Sequence, residues 1–207
     1  MSARHNDDVV DRSDAELLRA SSAGSAEAYS VFFRRHVAAI TRYAVRRCPN
    51  PDDVADLVGE CFLVALQASH RYIPETDTAL PWLFGISRRL LAKQRRKYAG
   101  NRRIEVKASN AFPNFTAAED DEVAAAIDAS RQAPILEEAL SRLTRSERDV
   151  LELVAYDCLS PSEAAIALDI TPNAARLRLS RARRAVRAHI DSTAVVGATA
   201  EDAGYAI

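Results

Sequence analysis

No apolar run in the 207-residue sequence is long enough to cross a bilayer, so membrane insertion is not expected. Neither is a signal peptide visible, and the expected location is the cytoplasm. Cysteine is sparse: Cys48, Cys61 and Cys158 are odd in number and widely spaced, which excludes a disulfide framework and a zinc site. Two of the three fall within apolar patterns and are expected to be small buried core residues. The histidines (His5, His36, His70 and His189) are scattered. No nucleophile stands beside a base, and no phosphate-binding loop or metal spacing occurs, so neither enzyme chemistry nor a cofactor or metal is expected. Glycine numbers only six and aromatics only 6%, against abundant Ala, Leu and Arg, which points to an all-α chain. Hydrophobic residues reach 48%, enough for real cores, and the length suits one large or two small domains.

A net charge of −1 says nothing about nucleic acid, but its distribution does. Residues 88 to 107 hold Arg88, Arg89, Lys93, Arg95, Arg96, Lys97, Arg102, Arg103 and Lys107 against a single Glu105. Acid gathers at Asp7 to Glu16, Asp52 to Glu60 and Glu119 to Asp128. Such segregation suits basic surfaces for a polyanion and acidic ones for other partners. The clearest basic stretch is YDCLSPSEAAIALDITPNAARLRLSRARRAVRAHI, from Tyr156 to Ile190. Ser160, Pro161 and Glu163 spell a capping box with proline at the first helical position. Thr171 and Pro172 repeat the start signal, leaving Leu168, Asp169 and Ile170 for a sharp turn. Asp169 stands where a turn wants glycine, and Asp tolerates the left-handed conformation better than most. Beyond Pro172, Ala175, Leu179, Ala182 and Val186 form a narrow apolar stripe. Arg176, Arg178, Arg181, Arg183, Arg184 and Arg187 occupy the other faces, with no acid from Asn173 to Ile190. A short helix, a tight turn and an arginine-rich helix make a helix-turn-helix of the kind that enters a major groove. The plainer alternative is a solvated basic face on a surface helix.

Along the chain, residues 1–12 are polar and expected to be disordered. Ser13-Asp-Ala-Glu16 is a capping box, and Ser25 begins a longer helix with Tyr29, Phe32, Phe33, His36, Val37, Ile40 and Tyr43 on its apolar side. Asn50 and Pro51 start an acidic helix carrying Asp52, Asp53, Asp56 and Glu60, with Val54, Leu57, Cys61, Phe62, Ala65 and Leu66 expected inside. Early acids also suit the positive end of a helix dipole. After the polar loop HRYIPETDT, from His70 to Thr78, Leu80-Pro-Trp-Leu-Phe opens a helix that turns basic. Periodicity fails from Tyr98 to Arg131, predicting a linker with one short helix over Ala118 to Ala129. Pro134 then begins another helix, and Thr144-Arg-Ser-Glu147 caps the next. The expected organisation is a domain at 13–98, a linker at 99–131, a domain at 132–190 and a flexible tail at 191–207. Trp82 and Phe84 precede a cationic track, a pairing that holds unstacked single-stranded bases, although core packing also explains aromatics at helical spacing.

Three segments carry a resemblance: DVADLVGECFLVAL (Asp53 to Leu66), LPWLFGISRRLLAKQRR (Leu80 to Arg96) and LEEALSRLTRSERDVLELVAYDCLSPSEAAIALDITPNAARLRLSRARRAVR. Together they resemble regions 2 and 4 of bacterial sigma-70 family sigma factors, above all the extracytoplasmic-function (ECF) subgroup, across roughly residues 13 to 97 and 132 to 190. The resemblance implies a region 2 helical bundle and a region 4 helix-turn-helix joined by a flexible linker. It also implies a factor that binds core RNA polymerase and directs promoter recognition and melting. Asp53, Asp56 and Glu60 would meet the polymerase clamp helices of the largest subunit. Arg71, Trp82, Arg88, Arg89, Lys93 and Arg96 would melt and read the −10 element, which requires a base to leave the stack. Pro172, Asn173, Arg176, Ser180 and Arg181 would meet the −35 element. Promoter DNA and core polymerase are therefore the implied partners, and the resemblance also admits an anti-sigma factor.

The chain departs from the family's pattern in places. Arg89 stands where the family usually has Asn, and Lys93 where it often has a carboxylate or amide. The extra charge is expected to strengthen phosphate contact there. Ala175 replaces a usual Val and Ala164 a usual Ile, each missing methylene costing on the order of 1 kcal/mol of packing. The alternative function, a stand-alone helix-turn-helix regulator, accounts for residues 132–190 and leaves Trp82 to Lys97 idle.

Overall fold

The computed structural model describes residues 11–101 and 134–202, with side chains over 11–96 and 134–193. The expected disordered start (residues 1–10), the linker from 102 onward with its short helix, and the last five residues lie outside the described ones. So do the side chains of Lys97, Arg102, Arg103 and Lys107. Every regular element among the described residues is helical, and these residues fall into two compact units.

Local chemistry starts each helix of the first unit. Helix α1 (Asp14–Ser22) opens on Ser13 through the expected capping box: Ser13 Oγ accepts the Glu16 N–H, and the Glu16 carboxylate accepts the Ser13 N–H. It ends at Gly24, whose φ of 97° no residue with a Cβ adopts easily. There the Ser25 N–H reaches back to the carbonyl of Ala20. Helix α2 (Ala26–Val45) is capped by Ser25, and α3 (Pro51–Ala68) by Asn50 with proline at its first position. A 3-10 turn (Ser69–Arg71) and a loop lead to α4 (Leu80–Asn101).

The core of this unit takes Leu17 and Leu18 from α1, Phe32, Ile40 and Tyr43 from α2, Leu57, Cys61 and Phe62 from α3, and Leu83 and Phe84 from α4. Each fully buried large side chain contributes about 1.5–3 kcal/mol relative to exposure. Rings lock the helices in register: Phe32 meets Phe62 edge-on at 6.4 Å, and Tyr43 lies 5.1 Å from Phe84. The Tyr29 hydroxyl donates to the carbonyl of Phe62, fixing α2 on α3. Cys61 receives the Ser87 hydroxyl at 3.2 Å, and burial pushes its thiol up to about 11, so it stays protonated.

In the second unit a helix α5 (residues 134–141) is followed by α6 (Arg145–Ala155), α7 (Pro161–Leu168) and α8 (Pro172–Asp202). Leu140, Leu143 and Ala182 form the core cluster, with Leu151 and Val186 packed against it. Thr144 and Glu147 make the expected capping box. Ala164 and Ala175, the small replacements, are completely buried.

Several expectations require correction. Helix α4 runs to Asn101, past the Tyr98 boundary, its backbone bonding continuing beyond the point where the apolar periodicity stops. The tail expected from 191 is helical through Asp202. No proline follows Pro172, and the Ser192 and Thr193 hydroxyls bond the carbonyl of His189 without breaking the helix. Leu66, expected inside, is exposed on α3. Of the cysteines, Cys61 alone is buried; Cys48 is half-buried and Cys158 exposed. Cys158 sits at φ 56° in the turn after α6, a backbone demand that an apolar pattern does not reveal.

Candidate nucleic-acid interface

The helix-turn-helix forms as its sequence requires. Ser160 Oγ accepts the Glu163 N–H at 3.2 Å while the Glu163 carboxylate accepts the Ser160 N–H at 2.7 Å, which starts α7. Asp169 takes φ 54°, and the Ile170 N–H closes the turn on the carbonyl of Ala165. Thr171 Oγ1 then accepts the Ala174 N–H to start α8. Ala175, Leu179 and Ala182 are buried. Pro172, Asn173, Arg176, Ser180 and Arg181 are all exposed, and Arg183, Arg184 and Arg187 continue the cationic surface. All five expected −35 residues therefore share the solvent side of one helix whose opposite side is anchored. Its exposed N-terminal turn is the positive end of the helix dipole, to which anions are drawn, although Pro172 has no N–H and Thr171 takes up those of Ala174 and Ala175. Leu177 also lies exposed among these groups, a residue the sequence reading passed over.

In the first unit Trp82 is half-buried with its ring 4.9 Å from Tyr72, on the loop residue following Arg71. Phe84, for which base-holding and core packing were both open in the sequence, is core, packed on Tyr43. Trp82, Arg89, Lys93 and Arg96 fall on one stripe of α4, since seven residues return a helix to nearly the same direction. Arg88 flanks that stripe, and Arg71, Arg88, Arg89, Lys93 and Arg96 are exposed. Arg96 bonds its own helix, Nε to the Ala92 carbonyl at 3.2 Å. An aromatic edge beside a cationic track results, with the exposed Ile73 on the adjoining loop.

One residue missed in the sequence holds that loop. The Asp14 carboxylate accepts the Ala79 N–H at 2.7 Å and the Thr78 hydroxyl at 3.3 Å, immediately before α4. It also meets Arg35 Nη1 at 2.7 Å and His36 Nε2 at 2.8 Å. Burial opposes its ionisation, but the His36 and Ala79 hydrogen bonds, the His36 charge and Arg35 outweigh that, holding its pKa at about 2. An acid in the first turn of α1 was legible; partners from Arg35 to Ala79 were not.

The acidic face needs one correction. Asp56 and Glu60 are exposed, but Asp53 is 6% exposed and turned inward. Its carboxylate accepts Asn50 Nδ2 at 2.9 Å and Gln94 Nε2 at 2.7 Å, tying the start of α3 to α4. Position supplies the reason: Asp53, Leu57, Cys61 and Ala65 are one i, i+4 row, and the row is buried. The outward surface instead couples Asp56 and Glu60 to the exposed Leu63 and Leu66, with Phe33 of α2 also exposed. Lys93 Nζ lies 3.6 Å from Glu60, where the basic and acidic faces meet.

Comparison with known proteins assigns both units. The sigma-70 region 2 family model matches residues 32–100, and the sigma-70 region 4 model residues 134–186. The ECF RNA polymerase sigma factor SigL of Mycobacterium tuberculosis is 30% identical over 178 residues, covering 83% of this chain and 94% of that protein. The RNA polymerase sigma factor NccH of Alcaligenes xylosoxydans xylosoxydans is 26% identical over 189 residues, covering 88% and 97%. Among solved structures, CnrH in complex with the cytosolic domain of CnrY matches with a TM-score of 0.59 at 24% identity, over 87% of this chain and 99% of that one. The sigma factor RpoE in complex with the anti-sigma factor NepR from Bartonella quintana matches at 0.56 and 18% identity, over 77% and 94%. These two structures share the fold.

Proposed function

Because this chain belongs to the extracytoplasmic-function sigma factors of the sigma-70 family, we propose a residue-level division of labour for its work on core RNA polymerase and promoter DNA. As a sigma factor it binds core polymerase and directs promoter recognition and melting at initiation. Asp56 and Glu60, with Leu63 beside them, dock on the polymerase clamp helices; Asp53 builds the helix that presents them. Arg71, Trp82, Arg88, Arg89, Lys93 and Arg96 engage the −10 element. Extruding a base there costs stacking, which an aromatic edge and phosphate contacts offset. Pro172, Asn173, Arg176, Ser180 and Arg181 meet the −35 element, Arg176 by bidentate contact with guanine or phosphate.

We assign docking and −10 contact to a domain over residues 13–98 and −35 contact to one over 132–190, with 99–131 as the linker between them. No helix of the described residues is long and apolar enough to cross a membrane, and we place the factor in the cytoplasm with its polymerase. Its role is recognition; the polymerase supplies the chemistry. CnrH and RpoE were each solved with a second protein bound, RpoE's an anti-sigma factor, and we extend to this chain a partner of that kind. A stand-alone regulator explains the second unit only, whereas the region 2 match covers residues 32–100.

The observation that carries the residue assignment is the exposure pattern of α8. Asn173, Arg176, Ser180 and Arg181 face solvent while Ala175, Leu179 and Ala182 anchor the opposite side. Reconstituting the full chain with core polymerase on genomic DNA and mapping transcript starts tests it. Starts should share two sequence blocks, and Arg176→Ala should relax the upstream block alone. Unchanged upstream preference with Arg176→Ala contradicts the assignment.

A further inference from the structure

Leu177 is 50% exposed in the second turn of α8, on the side that faces away from the core. Two residues at about 100° each place it opposite Ala175, which is completely buried. A single exposed leucine is ordinary on a protein surface. The neighbourhood of this one is not. Asn173 lies one turn before it, Arg181 one turn after it, Arg176 beside it and Ser180 three residues on, all exposed. Leu177 thus interrupts a polar ridge with a branched alkyl group that neither donates nor accepts a hydrogen bond. No other large apolar side chain on α8 from Pro172 to Arg187 is exposed to this degree; Leu179 is buried and Val186 packs on the core.

A recognition helix reads base edges through the residues of its first turns. Of the groups a major groove presents, the C5 methyl of thymine is the one an aliphatic side chain can recognise; the rest are hydrogen-bond donors and acceptors. We propose that Leu177 is a specificity-determining residue that reads a thymine methyl within the −35 element. Contact removes methyl and leucine surface from water and, through the cost of stranding polar edges beneath an alkyl group, disfavours guanine or cytosine there. This inference rests on the placement of α8 in the −35 major groove.

The test uses full-length chain assembled with core polymerase and a −35 duplex drawn from the mapped transcript starts. Three duplexes are compared at one fixed salt concentration: the natural sequence, the same sequence with every −35 thymine replaced by deoxyuridine, and a scrambled −35 block. Deoxyuridine keeps every hydrogen bond and removes only the methyl. Wild type should bind the uridine duplex about fourfold more weakly, the equivalent of one buried methyl. Leu177→Ala should bind the thymine and uridine duplexes equally, while still rejecting the scramble. Equal binding of thymine and uridine by wild type overturns the inference, as does a uridine penalty that survives intact in Leu177→Ala. If wild type does not distinguish the scramble, the placement of α8 fails and this inference with it. Discrimination against the scramble without a uridine penalty refutes the Leu177 role alone.

Discussion

Four groups converge on the Asp14 carboxylate: the Arg35 guanidinium, the His36 ring, the Thr78 hydroxyl and the Ala79 N–H. Its pKa of about 2 lies below the ordinary aspartate value of 3.8, so the ionised form is the one that folding favours. The associated stability is complete above pH 3.8 and is lost as pH falls toward 2, amounting to about 2 kcal/mol. Asp14→Ala should cost about 3 kcal/mol at neutral pH, because it leaves the buried His36 ring and Ala79 N–H without their acceptor. It should also flatten the acid limb of the stability profile measured by denaturant titration. An unaltered acid limb would show that another carboxylate governs it. Asp53→Ala belongs to the same class: about 1–3 kcal/mol of stability lost as Asn50 Nδ2 and Gln94 Nε2 lose their carboxylate acceptor, yet normal polymerase binding by the folded fraction. The sequence made both residues visible as acids but not their partners. Spacing alone grouped Asp53 with Asp56 and Glu60, although the buried row Asp53–Leu57–Cys61 was there to be read.

Helix starts were legible because capping is local. Ser13, Asn50, Thr144, Ser160 and Thr171 each close a hydrogen bond within three residues, so the string of letters contains the whole interaction. Helix ends were less so. Continuation of α4 to Asn101 and α8 to Asp202 depends on backbone bonding that leaves no apolar signature. The left-handed turn at Asp169 was readable from residue type, whereas that at Cys158 was not. At this scale α8 makes a direct prediction. Arg176→Ala should lower transcription from a −35-dependent promoter about tenfold, as expected for one bidentate contact, with no change in polymerase affinity. Activity equal to wild type in a run-off assay would remove Arg176 from the interface. Trp82→Ala should instead leave duplex binding by the holoenzyme intact and slow strand opening, read by permanganate footprinting. Normal opening would place Trp82 among residues that merely pack on Tyr72.

At the scale of the whole molecule the near-zero net charge conceals opposed surfaces: acid and exposed leucine on α3, arginine along α4 and α8. Anionic DNA repels the first and attracts the others, so the two kinds of partner are sorted before any close contact forms. Binding of holoenzyme to promoter DNA should weaken steeply with added salt, because each neutralised phosphate releases counterions. The most direct measurement is co-purification of core RNA polymerase with the full chain and with its Asp56→Lys, Glu60→Lys double variant. Both substituted side chains are exposed, so the variant should keep its helicity and fold, with melting lowered only slightly by loss of the exposed Glu60–Lys93 pair. The expected result is that the unsubstituted chain elutes with core polymerase while the folded double variant elutes alone. Assembly of the double variant at undiminished affinity would contradict the account.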